Sequence, residues 1–232
     1  VDRSPVSPVL LLLLGAALLL LVPLLFLQLV GGAFARLGFT PLQVFALLAL
    51  TLAGSFVNIP VARVRARDPF PLRLPPGWRM VERLYRIPPF SPETTVAVNL
   101  GGAVIPTVVS IGLTLAAVRL GGPVCLLLVG AGVLAVTIVT RLSARPVPGL
   151  GITTPFFIPP LCAGLAGLLL GSLAPGTGPS IGYISGTLGT LIGADLLLWR
   201  EYPRLGAGMV SIGGAGTFDG IFLAGIIAAL IA

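Results

Sequence analysis

Seven long apolar runs, bounded by arginine, proline or glycine, set the plan of the chain. They lie at roughly residues 9–31, 41–62, 94–118, 122–140, 153–172, 179–199 and 207–231. Each is near the ~20 residues that carry a helix across a bilayer. The pattern predicts an all-α polytopic bundle of about seven spans, with residues 1–232 as one transmembrane domain. Asp2 and Arg3 precede the first run, and Ala33-Phe34-Ala35 near its end has the look of a signal-peptidase site. At about 22 residues the run exceeds the 7–15 of a signal segment, so a retained signal anchor is expected.

One interruption is long. Residues 63–92 hold Pro69, Pro71, Pro75, Pro76, Pro88, Pro89 and Pro92 and read as a Pro/Arg-rich loop. Within it, residues 78–87 fit a short interfacial helix. Arg79, Glu82, Arg83 and Arg86 would share one face, with Met80, Val81, Leu84 and Ile87 on the other. Such a helix, with Trp78 and Tyr85 at headgroup depth, could rest on anionic lipid. An ordinary connector accounts for the same residues.

Charge adds a direction. Arginine supplies all 14 basic side chains, and only Arg36 and Arg119 fall outside the end shared by the N-terminus and the loops after the second, fourth and sixth spans. Positive charge gathers on the cytoplasmic side. The expectation is an integral cytoplasmic-membrane protein with its N-terminus inside and its C-terminus outside. Composition agrees, with 56% apolar and 9% charged residues and a mean hydropathy of +1.09. The lipid bilayer is the expected partner and nucleic acid is not, because the arginines flank apolar runs. A homo-oligomer stays open.

The candidate chemistry follows by elimination. With no histidine and no lysine, a Ser-His-Asp triad, a zinc HExxH site and a Walker A loop are all excluded. No cofactor or metal is expected. Cys125 and Cys162 lie in different spans and read as small core residues. What remains is Asp195 in GTLIGADLLLW and Asp219 in SIGGAGTFDGIFLAG. An ionisable group at membrane depth is costly and usually faces a partner, a cavity or a task.

Depth relates the two. Asp195 stands five residues before Arg200, about 7–8 Å inside the boundary at 1.5 Å per residue. Asp219 on a straight helix from Arg204 would lie about 22 Å deep. Gly213, Gly214 and Gly216 disfavour a straight helix, at roughly 1 kcal/mol each. A broken or re-entrant segment before Asp219 would start the helix near Thr217, put Asp219 in its first turn and let the two acids approach and titrate as one unit. Gly182, Gly186, Gly189 and Gly193 form a stripe for close helix approach. Around an ideal helix Asp195 falls about 160° from Gly193, which puts this span in the middle of the bundle.

Thr95, Asn99, Gly102, Pro106 and Ser110 follow the spacing of one helical face. Together with Asn58, Thr153 and Thr154 they collect polar groups near the same end. The candidate site is therefore Asp195 and Asp219 as catalytic pair, supported by Asn58, Thr95, Asn99, Gly213, Gly214, Gly216 and Thr217. Capping and helix contact explain Thr153, Thr154 and Asn58 equally well.

GADLLLW and GGAGTFDGIFLAG, with VNIPVA and NLGGAVIPTVVS upstream, resemble a bacterial and archaeal integral membrane family of unknown function. A fainter likeness reaches the presenilin and signal-peptide-peptidase group, whose aspartates precede a leucine in one span and close a GxGD motif in the next. Here Asp195-Leu196 and Gly216-Thr217-Phe218-Asp219 match in part, with Phe218 in place of the second glycine and no later PAL span. That resemblance implies aspartyl intramembrane proteolysis. A small proton- or cation-coupled transporter or channel fits the same acids, as does a non-catalytic membrane or assembly protein with a structural pair.

Overall fold

The computed structural model describes residues 7–65, 93–147, 151–214 and 219–232. The expected interfacial helix at 78–87, as well as Gly216 and Thr217, lies outside these residues. Seven α-helices are present among the described residues: α1 Pro8–Arg36, α2 Pro41–Ser55, α3 Ile105–Gly121, α4 Val124–Ser143, α5 Ile158–Gly171, α6 Gly178–Thr190 and α7 Gly220–Ile231. Three stretches, Val9–Arg36, Leu100–Gly121 and Val124–Ser143, are long and apolar enough to cross a bilayer, and α2, α5 and α7 are shorter apolar helices. Lipid contact suits α1 in particular, since leucines 10–14 and 18–21 are exposed.

Local sequence explains the helix ends. Thr40 and Gln43 form a reciprocal capping box at α2, with Pro41 in the first turn, where its missing N–H costs nothing. Gly122, at φ 79°, turns the chain between α3 and α4.

Helix α6 stands in the middle, as the glycine stripe predicts, but its glycines meet two different helices. A Cβ on Gly182 or Gly186 would press on the Ala228 or Ala224 backbone of α7, which runs antiparallel to α6. One on Gly189 or Gly193 would meet Val136 or Thr137 of α4, which runs parallel to it. The main core lies against the other half of α6, where Tyr183 and Ile184 pack with Phe34, Cys125, Phe222 and Ile226. The Ala33-Phe34-Ala35 stretch is helical here, with Ala33 and Phe34 fully buried.

Strands are the main departure from the expected all-helical spans. β1 Asn58–Arg65, β2 Glu93–Asn99 and β5 Met209–Ile212 form a sheet in the order β1-β2-β5. β1 and β2 are antiparallel, with Asn58 opposite Asn99, and β2 and β5 are parallel, with Val98 opposite Ile212. β3 Arg145–Val147 and β4 Gly151–Thr153 make a small hairpin. The second span thus ends as a helix at Ser55, and the third begins as a strand. The cause is local: ETTVAVN and VARVR are rich in β-branched residues and alternate with period two. The expected helical face from Thr95 to Ser110 consequently does not exist. Thr95 and Asn99 are on β2, Gly102 is in a π-helical turn over Leu100–Val104, and only Pro106 and Ser110 share α3. Thr153 likewise lies in β4 and not in a helix; its hydroxyl donates to the Arg145 carbonyl at 3.3 Å.

Candidate functional site

The sheet, two π-helical turns and the start of α7 converge at one end of the bundle. Helix α6 does not run straight into its last turn. Leu191–Leu196 forms a π-helical turn, in which the Leu197 N–H reaches back five residues to Ile192. Such turns recur at functional sites because the added residue re-aims a side chain. It sets Asp195 off the ideal-helix position expected from Gly193 and towards β5. The Asp195 Oδ2 accepts the Gly213 N–H at 2.7 Å.

The last span is broken as its glycines predict. β5 ends at Ile212, and Gly213 and Gly214 follow at φ 90° and 76°, a left-handed pair that glycine adopts without a Cβ penalty. Asp219 is the N-cap of α7, one position before the expected first turn. Its Oδ1 accepts the N–H groups of Ile221 and Phe222, each at 3.1 Å. The Asp219 Oδ2 faces the corner so closely that a Cβ on Gly214 would stand 2.2 Å from it. One carboxylate therefore holds Gly213 and the other abuts Gly214, two adjacent glycines of one corner.

Asn99 ties the neighbouring elements together. Its Nδ2 donates to the Ser55 carbonyl at 2.8 Å and to Asn58 Oδ1 at 3.1 Å, while its Oδ1 accepts the Gly102 N–H at 2.7 Å. Asn58 Oδ1 also accepts the Ser211 hydroxyl at 2.7 Å. The chain of bonds thus runs from α2 through β1 and β2 to β5, two residues from the glycine corner. Thr95 is not part of it. Four residues up β2, it stands about 13 Å away at 3.3 Å per residue.

Sequence reasoning missed Ser211 and Tyr202. Tyr202, in the 3₁₀ turn Trp199–Arg204, is buried, and its hydroxyl donates to the Asp195 carbonyl at 2.8 Å. Burial first, and then the charge of Asp195, push the Tyr202 phenol up, so it stays a donor. A lone tyrosine in WREYPR carries no pattern that announces this. Ser211 could have been found from the strand alternation of MVSI.

Leucine at position 99 would strand the Gly102 N–H and the Ser55 carbonyl in a buried setting, at about 1–3 kcal/mol for each group. Asn99→Leu should lower the melting temperature in detergent clearly. An unchanged melting temperature would show that these bonds do not hold the site.

These features define a helical, membrane-type protein with a cluster of polar residues where a sheet meets the helix ends. Over residues 52–231 the chain matches a family described as a protein of unknown function (DUF1614), and it belongs to that family. The match runs from within α2 to the last turn of α7 and so takes in the whole site. No curated protein and no solved structure matches the chain.

Proposed function

We propose that this protein is an aspartyl hydrolase of the membrane, with Asp195 and Asp219 as its acid–base pair and a peptide bond as its substrate. The supporting observation is the convergence of both carboxylates, 24 residues apart in sequence, on adjacent glycines of one corner. Backbone N–H groups hold one oxygen of each acid, which fixes the geometry without using a side chain that could compete for protons. In this reading one carboxylate takes a proton from water as the water oxygen bonds to the carbonyl carbon. The other gives a proton to the amide nitrogen as the C–N bond breaks, and a carboxylic acid and an amine are released. Asn58, Asn99 and Ser211 position the strands behind the corner. The arginine-bearing end, where the site lies, faces the cytoplasm.

The test uses proteoliposomes of the full chain and a quenched-fluorescent library of apolar peptides of ~20 residues, long enough to span the bilayer. Wild type should cleave members of the library. Asp195→Asn should reduce the rate at least about 100-fold, the low end for loss of a general acid or base. Cleavage that survives in Asp195→Asn, or its absence in wild type, overturns the reading.

A further inference from the structure

Serine and threonine inside a helix usually donate to a carbonyl one turn back. On α3 they do: Thr107, Ser110 and Thr114 donate to Ala103, Pro106 and Ser110 at 2.7–2.8 Å. Helix α6 behaves differently. Ser185, Thr187 and Thr190 are at most 2% exposed, and their hydroxyl oxygens have no hydrogen-bond partner among the described residues. A buried hydroxyl without a partner is destabilising and calls for a reason.

Ser185 faces α4, against Gly132. The other two fall on a different face, where Tyr183, Thr187 and Thr190 follow the i, i+4, i+7 spacing of one helical stripe. Tyr183 and Thr187 lie against the same residue of the neighbouring helix, and Thr187 Oγ1 has no hydrogen-bond partner among the described residues. The π-helical turn follows directly on Thr190 and carries Asp195, five residues further on, whose Oδ2 accepts the Gly213 N–H. Across the seam stands Gly225 of α7, whose Cβ would come within 2.3 Å of Thr187 Oγ1 and 3.1 Å of the Tyr183 ring. Glycine there lets α7 pack directly against Thr187 and Tyr183, where any side chain would clash.

We propose that Tyr183, Thr187 and Thr190 form a proton path along the α6–α7 seam that ends at Asp195, so that the protein passes protons between the two ends of its bundle. Each hydroxyl accepts a proton on its oxygen and releases its own to the next acceptor, so none is consumed. From Tyr183 to Asp195 the path rises about 18 Å at 1.5 Å per residue, more than half of a hydrocarbon core of about 30 Å. It uses Asp195 as a proton acceptor and needs no hydrolysis, so it stands or falls apart from the cleavage reading.

The full chain in proteoliposomes loaded with a pH-sensitive dye, under a potassium gradient with valinomycin, measures the flux. Wild type should move protons faster than empty vesicles, and Thr187→Val with Thr190→Val, which keeps the side-chain shapes, should cut the flux at least tenfold. Tyr183→Phe serves as a second variant, with a reduced flux expected, should the double variant fold poorly. Peptide cleavage by the double variant should equal that of wild type. Wild-type flux no greater than that of empty vesicles overturns the proton path, as does equal flux in wild type and in the folded variants. Loss of cleavage in Asp195→Asn bears on the hydrolase alone.

Discussion

Gly102→Ala should collapse the site more completely than any other single methyl group. The new Cβ would stand 1.8 Å from the Gly213 carbonyl oxygen and 2.9 Å from its carbon. Both obstacles are backbone, and Gly213 is itself held at φ 90° by a corner that only glycine fits easily. No rotamer change relieves the clash, so the π-helical turn and β5 must move apart and the Gly213–Asp195 bond must break. Overpacking typically costs about 1–3 kcal/mol, and a clash against fixed backbone belongs at or above the top of that range. Unfolding in detergent should show this loss, and peptide cleavage should disappear with it. Gly112→Ala is the control, because nothing lies within 4 Å of its Cβ and alanine is the better helix former by about 1 kcal/mol. Equal stability of the two variants would sink the account of the corner.

At Asp219, asparagine and alanine should separate the capping role from the proposed acid–base role. As N-cap, Asp219 accepts two backbone N–H groups, and asparagine caps about as well as aspartate. Asp219→Asn should therefore melt with wild type, whereas Asp219→Ala should lose about 1 kcal/mol, within the usual 0.5–2 for a lost cap. Cleavage should fall at least about 100-fold in both, because neither replacement exchanges a proton as a carboxyl does. Full activity in Asp219→Asn would reduce Asp219 to a helix cap and remove it from the acid–base pair.

Most of the helices were legible because they carry long apolar runs, α6 through its glycine stripe, and the break before Asp219 was legible because three glycines crowd into four positions. The strands were not. TTVAVN runs directly into LGGAVIP, so an averaged hydropathy sees one continuous span where the chain changes from strand to π-helical turn to helix. The four-residue spacing of Thr95 and Asn99 suits a helical face as well as one side of a strand, so the alternation alone does not choose between them. The partners that settle the matter are remote: β2 pairs with β1 at Asn58 and with β5 beyond residue 208. No local pattern encodes that pairing. Asp195 showed its importance through its cost in an apolar setting. Its hydrogen-bond partner, a backbone N–H 18 residues later, has no side-chain identity to read.

The parallel pairing of β2 with β5 sets an order of assembly. Val98 meets Ile212 only after more than a hundred further residues have been made, and contacts of such separation form late because a long loop must close first. Until then Asp195 lacks Gly213, and Gly102 lacks the carbonyl that packs on it. A chain emerging from the ribosome can insert and pair α1 to α5 while the polar end of α6 waits unsatisfied. The closing event is the arrival of β5 and α7, which together supply Gly213, Ser211 and Asp219. A chain stopped near residue 205 would thus carry most of its helices, and Asp195 with neither Gly213 nor Asp219 beside it.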